Sequence, residues 1–297
     1  MDLAETFQSV APGVVAIAQT MVYSLDGAVP LSPTILATGL IVDSTGIVAT
    51  NRHVIECFAN IPVHPKTGKR AVAVILFHYG QTEEGKTYVR WVPLSINYHA
   101  VLDGFTSAGP WYGQVVPDLG FIQLSVKDVP ALPLATEDNY LRVGMSIATV
   151  GFPMGDVSLT AWGKLNQVTP FLRHGIVSSV FPFSVAQPHG FTIDVLQQGG
   201  SSGSPIFYAD KPQVVGMMSG SLRDSEFVER DGQRIEHVQT NISVCVTATS
   251  IKHALETFKS RSPPNAAPVR PLSERLAAIP MERSMGWRVF DDVEDPQ

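Results

Sequence analysis

The chain has 297 residues, of which 44% are hydrophobic and 16% are charged, and its formal net charge at pH 7 is −6. This composition is typical of a globular protein with a packed core, and it argues against a chain that is disordered throughout. The charge provides no basic stripe that would neutralise phosphates, so nucleic acid is not an expected partner.

The N-terminal segment and the two cysteines indicate in which cellular compartment the protein is expected. Residues 1–20 begin with acidic side chains, and the apolar stretch GVVAIA within them is too short for a signal-peptide core or a membrane span. We therefore expect a cytoplasmic protein without a membrane partner. Cys57 and Cys245 form no CxxC pair and cannot build a disulfide framework. Reduced thiols are the default expectation, and a single bridge between the two remains an alternative.

Short apolar or alternating runs, separated by Gly, Pro, Asn and Asp, predict strands along most of the chain. Many short strands at this spacing favour an all-β barrel or sandwich. The predicted strands are 14–19, 36–42, 46–50, 71–77, 119–126, 146–152, 175–180, 191–196 and 213–220.

One helix is predicted convincingly, over residues 249–260, where a Thr or Ser can cap the first turn. Its apolar residues share one face: Ile251, Ala254, Leu255 and Phe258. The following segment, RSPPNAAPVRP, is too rich in proline for a helix or a central strand, so it is expected to be a linker that ends the domain.

The tail after the linker, residues 272–297, is expected to form one short helix and then an acidic end. Its large apolar side chains indicate that it docks on its own domain or on a partner. These side chains are Trp287, Val289 and Phe290.

The glycine-rich segment 199-GGSSGSP-205 is the first candidate for chemistry. A serine hydroxyl needs a base to become a strong nucleophile, and glycines let backbone N–H groups turn towards a developing oxyanion. In one register, Ser201 is the centre of a G-x-S-x-G elbow, as in esterases of the α/β-hydrolase class. That elbow precedes a helix, whereas the downstream residues IFYADKPQVVGMM predict two strands, so this register is disfavoured.

In the second register, residues 200–205 fit the pattern G-x-S-G-[GS]-P, with Ser202 as the nucleophile between two strands. This pattern resembles the trypsin-like (chymotrypsin-fold) serine proteases. The segment 37-ATGLIVDSTGIVATNRHVI-55 resembles the catalytic-histidine region of HtrA-like proteases and contains His53. The resemblance spans roughly residues 6 to 260.

Asp118 supplies the third residue that the resemblance requires. It opens 118-DLGFIQLSV-126, which resembles the strand that begins with the family's catalytic aspartate. Asp103, in 99-HAVLDG-104, is the competing carboxylate, and Asp118 is preferred because an apolar strand follows it directly. The candidates then occur in the family's order of His, Asp and Ser.

The resemblance implies an all-β fold of two six-stranded antiparallel β-barrels, chymotrypsin-like, with a C-terminal helix and a short tail. It implies a protease domain at residues 1–260, with the first barrel at about 10–130 and the second at about 135–250. The closing helix would lie at 250–260, and residues 261–297 would form the linker and tail.

The resemblance also implies roles for individual residues. Ser202 would be the nucleophile, His53 the general base, and Asp118 the carboxylate that orients His53. The backbone N–H groups of Gly200 and Ser202 would form the oxyanion hole. No HExxH motif and no Cys/His cluster with zinc spacing occurs in the sequence, so we expect neither a metal nor another cofactor.

A substrate pocket is expected near the nucleophile. The resemblance implies that Leu196 falls where trypsin-like enzymes place the residue at the base of the pocket for the side chain that precedes the scissile bond. A leucine there offers no carboxylate to Lys or Arg. Met217, Met218 and Ser219 are the predicted wall, which favours an apolar preference.

Some features depart from the family. Ser201 stands where secreted digestive proteases have an aspartate that binds a newly cut N-terminus, so activation of that kind is not expected. Too few residues follow the closing helix for a PDZ domain, and the stretch 65–117 is longer than in compact relatives. These departures keep open two alternatives to a free protease of proteins or peptides: an effector that a regulatory partner holds inactive, and a protease-like fold that only binds.

Overall fold

The computed structural model defines where most of the chain runs. The residues it describes are 1–20, 34–63, 68, 70–81, 85, 87–102, 117–135, 141–155, 170–181, 188–224, 228–230, 233–235, 238–261, 263 and 268–278.

The chain begins with helix α1 (Leu3–Val10), which the sequence analysis did not predict. A capping box starts the helix: the Asp2 carboxylate accepts from the Glu5 N–H at 2.8 Å, and the Glu5 carboxylate accepts from the Asp2 N–H at 3.0 Å. Thr6 and Val10 point into the protein. A 3-10 turn over Ala11–Gly13 then leads into the first strand.

Seven antiparallel strands form the first sheet, a half-barrel with the strand order β5-β4-β1-β2-β3-β7-β6. The strands are β1 (Val14–Gln19), β2 (Thr34–Asp43), β3 (Ile47–Thr50), β4 (Val72–Gln81), β5 (Thr87–Leu94), β6 (Ile96–Val101) and β7 (Gly120–Leu124). Six strands were predicted for this barrel. The sequence analysis placed no strand between residues 77 and 119, where β5 and β6 add polar and aromatic side chains to the sheet.

Six strands form the second unit, a closed barrel. They are β9 (Ser146–Gly151), β10 (Phe171–Phe181), β11 (Gly190–Ile193), β12 (Pro205–Tyr208), β13 (Val214–Asp224) and β16 (Val238–Thr247). Smaller pairs lie outside the two main units: β8 (Val126–Lys127) with β17 (Arg270–Pro271), and β14 (Val228–Arg230) with β15 (Gln233–Ile235).

Three hydrophobic clusters account for the continuous apolar runs in the sequence. β1 is buried on both faces: Val15 and Ile17 point into the first sheet's own core, while Val14 and Ala16 point towards the second barrel. A strand that is covered on both faces has no polar alternation. The cluster between the units includes Phe121 from the first sheet and Phe152, Phe207 and Met217 from the second barrel, and the third cluster fills the second barrel.

Helix α3 (Ala248–Ser260) closes the second barrel and matches the predicted helix. The Thr247 side chain caps its first turn by accepting from the Ser250 N–H. At its far end, Phe258 stacks on Tyr98 and packs against Phe121, with ring centroids 5.3 and 5.2 Å apart. The helix therefore belongs to the second barrel in sequence and also packs on the first sheet.

The chain after the linker returns to the first sheet. Helix α4 (Leu272–Ala278) buries Leu272 in that sheet's core, and the Arg90 guanidinium donates to the Leu276 carbonyl at 3.1 Å. Trp287, Val289 and Phe290, on which the docking prediction for the tail was based, lie outside the described residues. Within the described ranges, no helix is long and apolar enough to cross a membrane.

Candidate active site

The candidate histidine lies directly after a first-sheet strand. β3 ends at Thr50, the fully buried Asn51 is the N-cap position, and the short helix α2 (Arg52–Glu56) carries His53. The Asn51 side-chain amide donates to the Asp118 carbonyl at 2.9 Å. This bond connects the segment that carries the histidine to the segment that carries the candidate aspartate.

Asp118 contacts His53 through both carboxylate oxygens. Asp118 Oδ2 lies 2.7 Å from His53 Nδ1, and Asp118 Oδ1 accepts from the His53 backbone N–H at 3.1 Å. The carboxylate therefore fixes the orientation of the imidazole and favours the tautomer with a proton on Nδ1, which leaves Nε2 as an acceptor. Asp103, the competing carboxylate, lies outside the described residues.

Ser202 lies on the opposite side of the imidazole, on the second barrel. Its Oγ is 3.0 Å from His53 Nε2, and it also accepts from the Gln197 side-chain amide at 3.2 Å. The serine hydroxyl can therefore donate to His53 while its oxygen is held by Gln197. The three residues selected from the sequence lie in one hydrogen-bonded chain, across the two units of the fold.

Ser201 is in a different environment. It is only 4% exposed, and the segment that follows it is strand β12, not a helix. The nucleophile-elbow interpretation with Ser201 is therefore wrong, because that elbow requires a strand followed by a helix. Ser204 is also buried, beside Gly151, where a Cβ atom would lie 2.0 Å from the Ser204 hydroxyl oxygen.

The backbone before Ser202 leaves two N–H groups open. The N–H groups of Gly200 and Ser202 donate to no acceptor among the described residues. The Gly199 carbonyl accepts from the Met154 N–H at 2.5 Å, and a trans peptide points its C=O and N–H in opposite directions. The Gly200 N–H therefore points away from the 152–155 turn.

Gly200 is required at its position by geometry. Its φ is +87°, in the left-handed region, and a Cβ atom there would lie 2.2 Å from the Phe152 carbonyl oxygen. Any side chain would therefore push the loop away from the 152–155 turn.

Thr38, on β2 of the first sheet, holds this loop by two hydrogen bonds and the 152–155 turn by a third. Its N–H donates to the Ser202 carbonyl and its hydroxyl to the Gly200 carbonyl, both at 2.8 Å. The same hydroxyl accepts from the Phe152 N–H at 3.1 Å. Thr38 is fully buried, so these bonds lie in the interior between the two units.

The residues predicted for the substrate pocket differ in burial. Leu196 and Ser219 are half-buried near the loop, and the Ser219 hydroxyl donates to the Val244 carbonyl at 3.0 Å. Met217 and Met218 are 0% and 1% exposed. Their side chains lie in the inter-unit and second-barrel cores, because neighbouring residues of β13 face opposite sides and both sides are covered. The two methionines are therefore not pocket walls.

The pKa of His53 is raised above its ordinary value. The largest cause is the hydrogen bond to the Asp118 carboxylate, and partial burial opposes it. The negative charges of Asp118 and Glu56 raise the pKa further. The imidazole is therefore a stronger base than an isolated histidine, which suits a group that takes a proton from a hydroxyl.

Sequence reasoning missed Thr38 and Gln197 as site residues. Thr38 lies in the quoted 37–55 segment and Gln197 in the segment that leads to Ser202, but neither residue type marks a contact in advance. Their roles follow from hydrogen bonds to Gly200 and Ser202, which are 162 and 5 residues away in sequence.

A second Ser–His pair lies elsewhere on the second barrel. His174 Nε2 is 2.7 Å from Ser146 Oγ, across the exposed face of β9 and β10. No carboxylate of a described residue hydrogen-bonds His174, in contrast to His53. His174 therefore makes a cross-strand contact on the barrel surface. In the described part of the chain, no three His, Cys, Asp or Glu side chains cluster as a metal site would require.

Comparisons with known proteins bear on the family and the fold. The family model described as the trypsin-like peptidase domain matches residues 37–217, more than half of the chain. Among solved structures, the HtrA-type protease AlgW with decapeptide is similar, with a TM-score of 0.52 and 15% identity over 88% of this chain and 68% of that chain.

The serine endoprotease from Yersinia pestis is also similar, with a TM-score of 0.49 and 14% identity over 88% of this chain and 68% of that one. No curated protein matches the sequence. At an identity of 15% the likeness to AlgW shows the fold alone, and it confirms the predicted all-β, chymotrypsin-like class.

We predict that Thr38→Val destabilises the protein more than Thr38→Ser. Valine removes the hydroxyl and leaves the Gly200 carbonyl and the Phe152 N–H buried without their partner, at a cost of about 1–3 kcal/mol. Serine retains the hydroxyl. Urea unfolding gives the free energy of unfolding of both variants. Equal losses of this free energy in the two variants would show that the hydrogen bonds of the Thr38 hydroxyl contribute nothing.

We predict that Asp118→Asn lowers the pKa of His53. The pKa of His53 in the folded state lies above the unfolded value of about 6.5, so protonation of His53 stabilises the fold. This stabilisation is fully present below the unfolded pKa, and it disappears as the pH rises through the folded pKa. The free energy of unfolding that Asp118→Asn loses should therefore be larger at pH 6 than at pH 9.

Titration of the His53 imidazole by NMR and urea unfolding at the two pH values test this prediction. Asp210→Asn, an exposed carboxylate on the turn after β12, is the matched control and should leave the His53 titration unchanged. An unchanged His53 pKa in Asp118→Asn would contradict the assigned cause.

Proposed function

Because the chain belongs to the trypsin-like peptidase domain family, we propose that it is a serine endopeptidase that cleaves peptide bonds through an acyl-enzyme intermediate. The observation that carries the proposal is the continuous chain from Ser202 Oγ to His53 Nε2 at 3.0 Å and from His53 Nδ1 to Asp118 Oδ2 at 2.7 Å. We propose these three side chains as nucleophile, general base and orienting carboxylate.

The first half of the reaction forms the acyl-enzyme. Ser202 Oγ attacks the peptide carbonyl carbon while its proton passes to His53 Nε2, and the carbonyl oxygen takes up the negative charge. The Asp118 carboxylate stabilises the imidazolium that results. His53 then donates this proton to the leaving amine as the carbon–nitrogen bond breaks.

The oxyanion is proposed to bind the N–H groups of Gly200 and Ser202. What supports this step is that both groups lie next to the nucleophile and donate to no acceptor among the described residues. Donors fixed before the reaction stabilise the developing charge without reorganisation, and removal of one such donor in other enzymes costs about 10²–10³ in kcat.

The second half of the reaction releases the acyl group. Water attacks the acyl carbon, His53 Nε2 takes the water proton, and the same nitrogen returns a proton to Ser202 Oγ as the ester bond breaks. The raised pKa of His53 supports its role as the base in both halves.

We propose an apolar preference at the substrate position before the scissile bond. Leu196 precedes Ser202 by six residues and is half-buried, so it offers a methyl surface and no charge. The carboxylate of Asp194, two residues earlier, accepts from the Ile176 N–H at 2.6 Å and is therefore engaged by β10.

We predict that Ser202→Ala abolishes labelling by a fluorophosphonate probe and reduces hydrolysis of a denatured protein substrate by about three orders of magnitude or more. Alanine removes the oxygen that becomes phosphonylated or acylated, while the fold is unaffected. Gel fluorescence and release of peptides measure the two effects. Ser201→Ala is the control and should retain labelling, and labelling that survives in Ser202→Ala would refute the assignment.

We predict that a peptide library cleaved by the wild-type protein shows apolar residues before the scissile bond. Mass spectrometry of the products gives the profile, and Ser202→Ala protein supplies the background. A profile dominated by Lys or Arg at that position would contradict the proposed role of Leu196.

A further inference from the structure

Arg173 contacts the loop that carries Ser202. It lies on β10, where it pairs with Thr149 of β9. Its guanidinium donates through Nη1 to the Leu196 carbonyl and through Nη2 to the Gln198 side-chain oxygen. The guanidinium thus holds two residues of the loop, one on either side of Gln197.

The Arg173 guanidinium donates to neutral acceptors rather than to a carboxylate of a described residue. Arg173 is half-buried and forms no ion pair with a described residue. Burial lowers its pKa, although a guanidinium remains charged at neutral pH. Partial burial removes some of the charge's solvation, and among the described residues neutral acceptors of one loop compensate for that cost.

Among the described residues, few other hydrogen bonds hold the loop at residues 196–198. The Leu196 carbonyl accepts from no other described residue, so Arg173 is its donor in the described part of the chain. Gln197, between the two acceptors, donates to Ser202 Oγ. The Gln198 carbonyl accepts from the Ser201 N–H at 3.0 Å, which sets the turn that precedes the nucleophile.

We infer that Arg173 is a positioning residue that holds the loop over residues 196–200 in the geometry in which Gln197 and the Gly200 N–H serve Ser202. The inference rests on the proposed function, because it assigns a role in the same site. Arg173 does not touch the reacting atoms. It acts through Leu196 and Gln198, and a hydrogen-bonding fork that spans two residues is better suited to this than a single point charge.

The first test compares Arg173→Met with Lys211→Met. Methionine keeps the apolar stem of the side chain and removes the guanidinium donors. We expect the maximal rate of fluorophosphonate labelling to fall about 10- to 100-fold, as loss of charge-assisted hydrogen bonds implies. The half-saturating probe concentration should change by less than about twofold, since ground-state binding is retained. Lys211→Met removes a cation that lies over the Tyr208 ring on the same barrel, and it should not change the labelling rate.

A second pair of variants separates the guanidinium from simple packing. In Arg173→Ala, the space left by the side chain should admit methylguanidinium, which should restore part of the labelling rate. Arg173→Met fills the part of that space nearest the backbone, which the methyl group and substituted nitrogen of methylguanidinium would need, so it should not be rescued. Arg173→Lys keeps the charge but not the fork, so its rate should lie between those of the wild-type protein and Arg173→Met. Equal rates in the wild type and Arg173→Met would overturn the inference.

Hydrogen exchange tests the inference without requiring activity. In Arg173→Met, the amides of Ser201 and Ser204, which donate to the carbonyls of Gln198 and Ser201, should exchange faster. Peptides from α3 should be unchanged. If the wild type shows no labelling, the proposed function fails, while faster loop exchange in the variant still supports the role of Arg173 in holding the loop. Unchanged loop exchange overturns that role.

Discussion

The buried hydrogen bonds of Thr38 are the constraint on which the candidate site depends. One residue of β2 uses its N–H, its hydroxyl and its carbonyl to bind Ser202, Gly200, Phe152 and Thr50. Each partner is a backbone group or a hydroxyl in a region without solvent, where a missing hydrogen bond costs free energy that water cannot restore. The first sheet and the nucleophile loop are therefore fixed relative to each other at one fully buried point.

This constraint matters because the three candidate catalytic side chains come from both units. His53 and Asp118 lie on segments that adjoin strands β3 and β7 of the first sheet, and Ser202 lies on the loop before β12 of the second barrel. A distance of 3.0 Å between Ser202 Oγ and His53 Nε2 therefore requires that the interface between the units be rigid. The inter-unit hydrophobic cluster packs the two units against each other, and the hydrogen bonds of Thr38 add a directional constraint, which apolar packing does not.

Much of this arrangement could be predicted from sequence, and the exceptions have physical reasons. Continuous apolar runs gave β1 and most other strands, and motif order gave His53, Asp118 and Ser202. Strands β5 and β6 were missed because their sequences mix polar and aromatic residues. Helix α1 was missed although Asp2 and Glu5 form a recognisable capping box. The pocket prediction failed for Met217 and Met218, because both faces of β13 are covered and sequence gives no information on what covers a strand.

Contacts between distant segments set the loop geometry, and these have no local sequence signature. The loop before Ser202 has no regular secondary structure, and its conformation is imposed from three sides: Thr38 on β2, Met154 in the turn after β9, and Arg173 on β10. Each contact uses a backbone carbonyl of the loop as acceptor. Because a carbonyl and the following N–H point in opposite directions, donors that bind the carbonyls determine where the N–H groups face. The Gly200 N–H is thus oriented by Met154, which binds the Gly199 carbonyl from another element. The Ser202 N–H is oriented within the turn itself, because the Ser204 N–H donates to the Ser201 carbonyl at 3.0 Å.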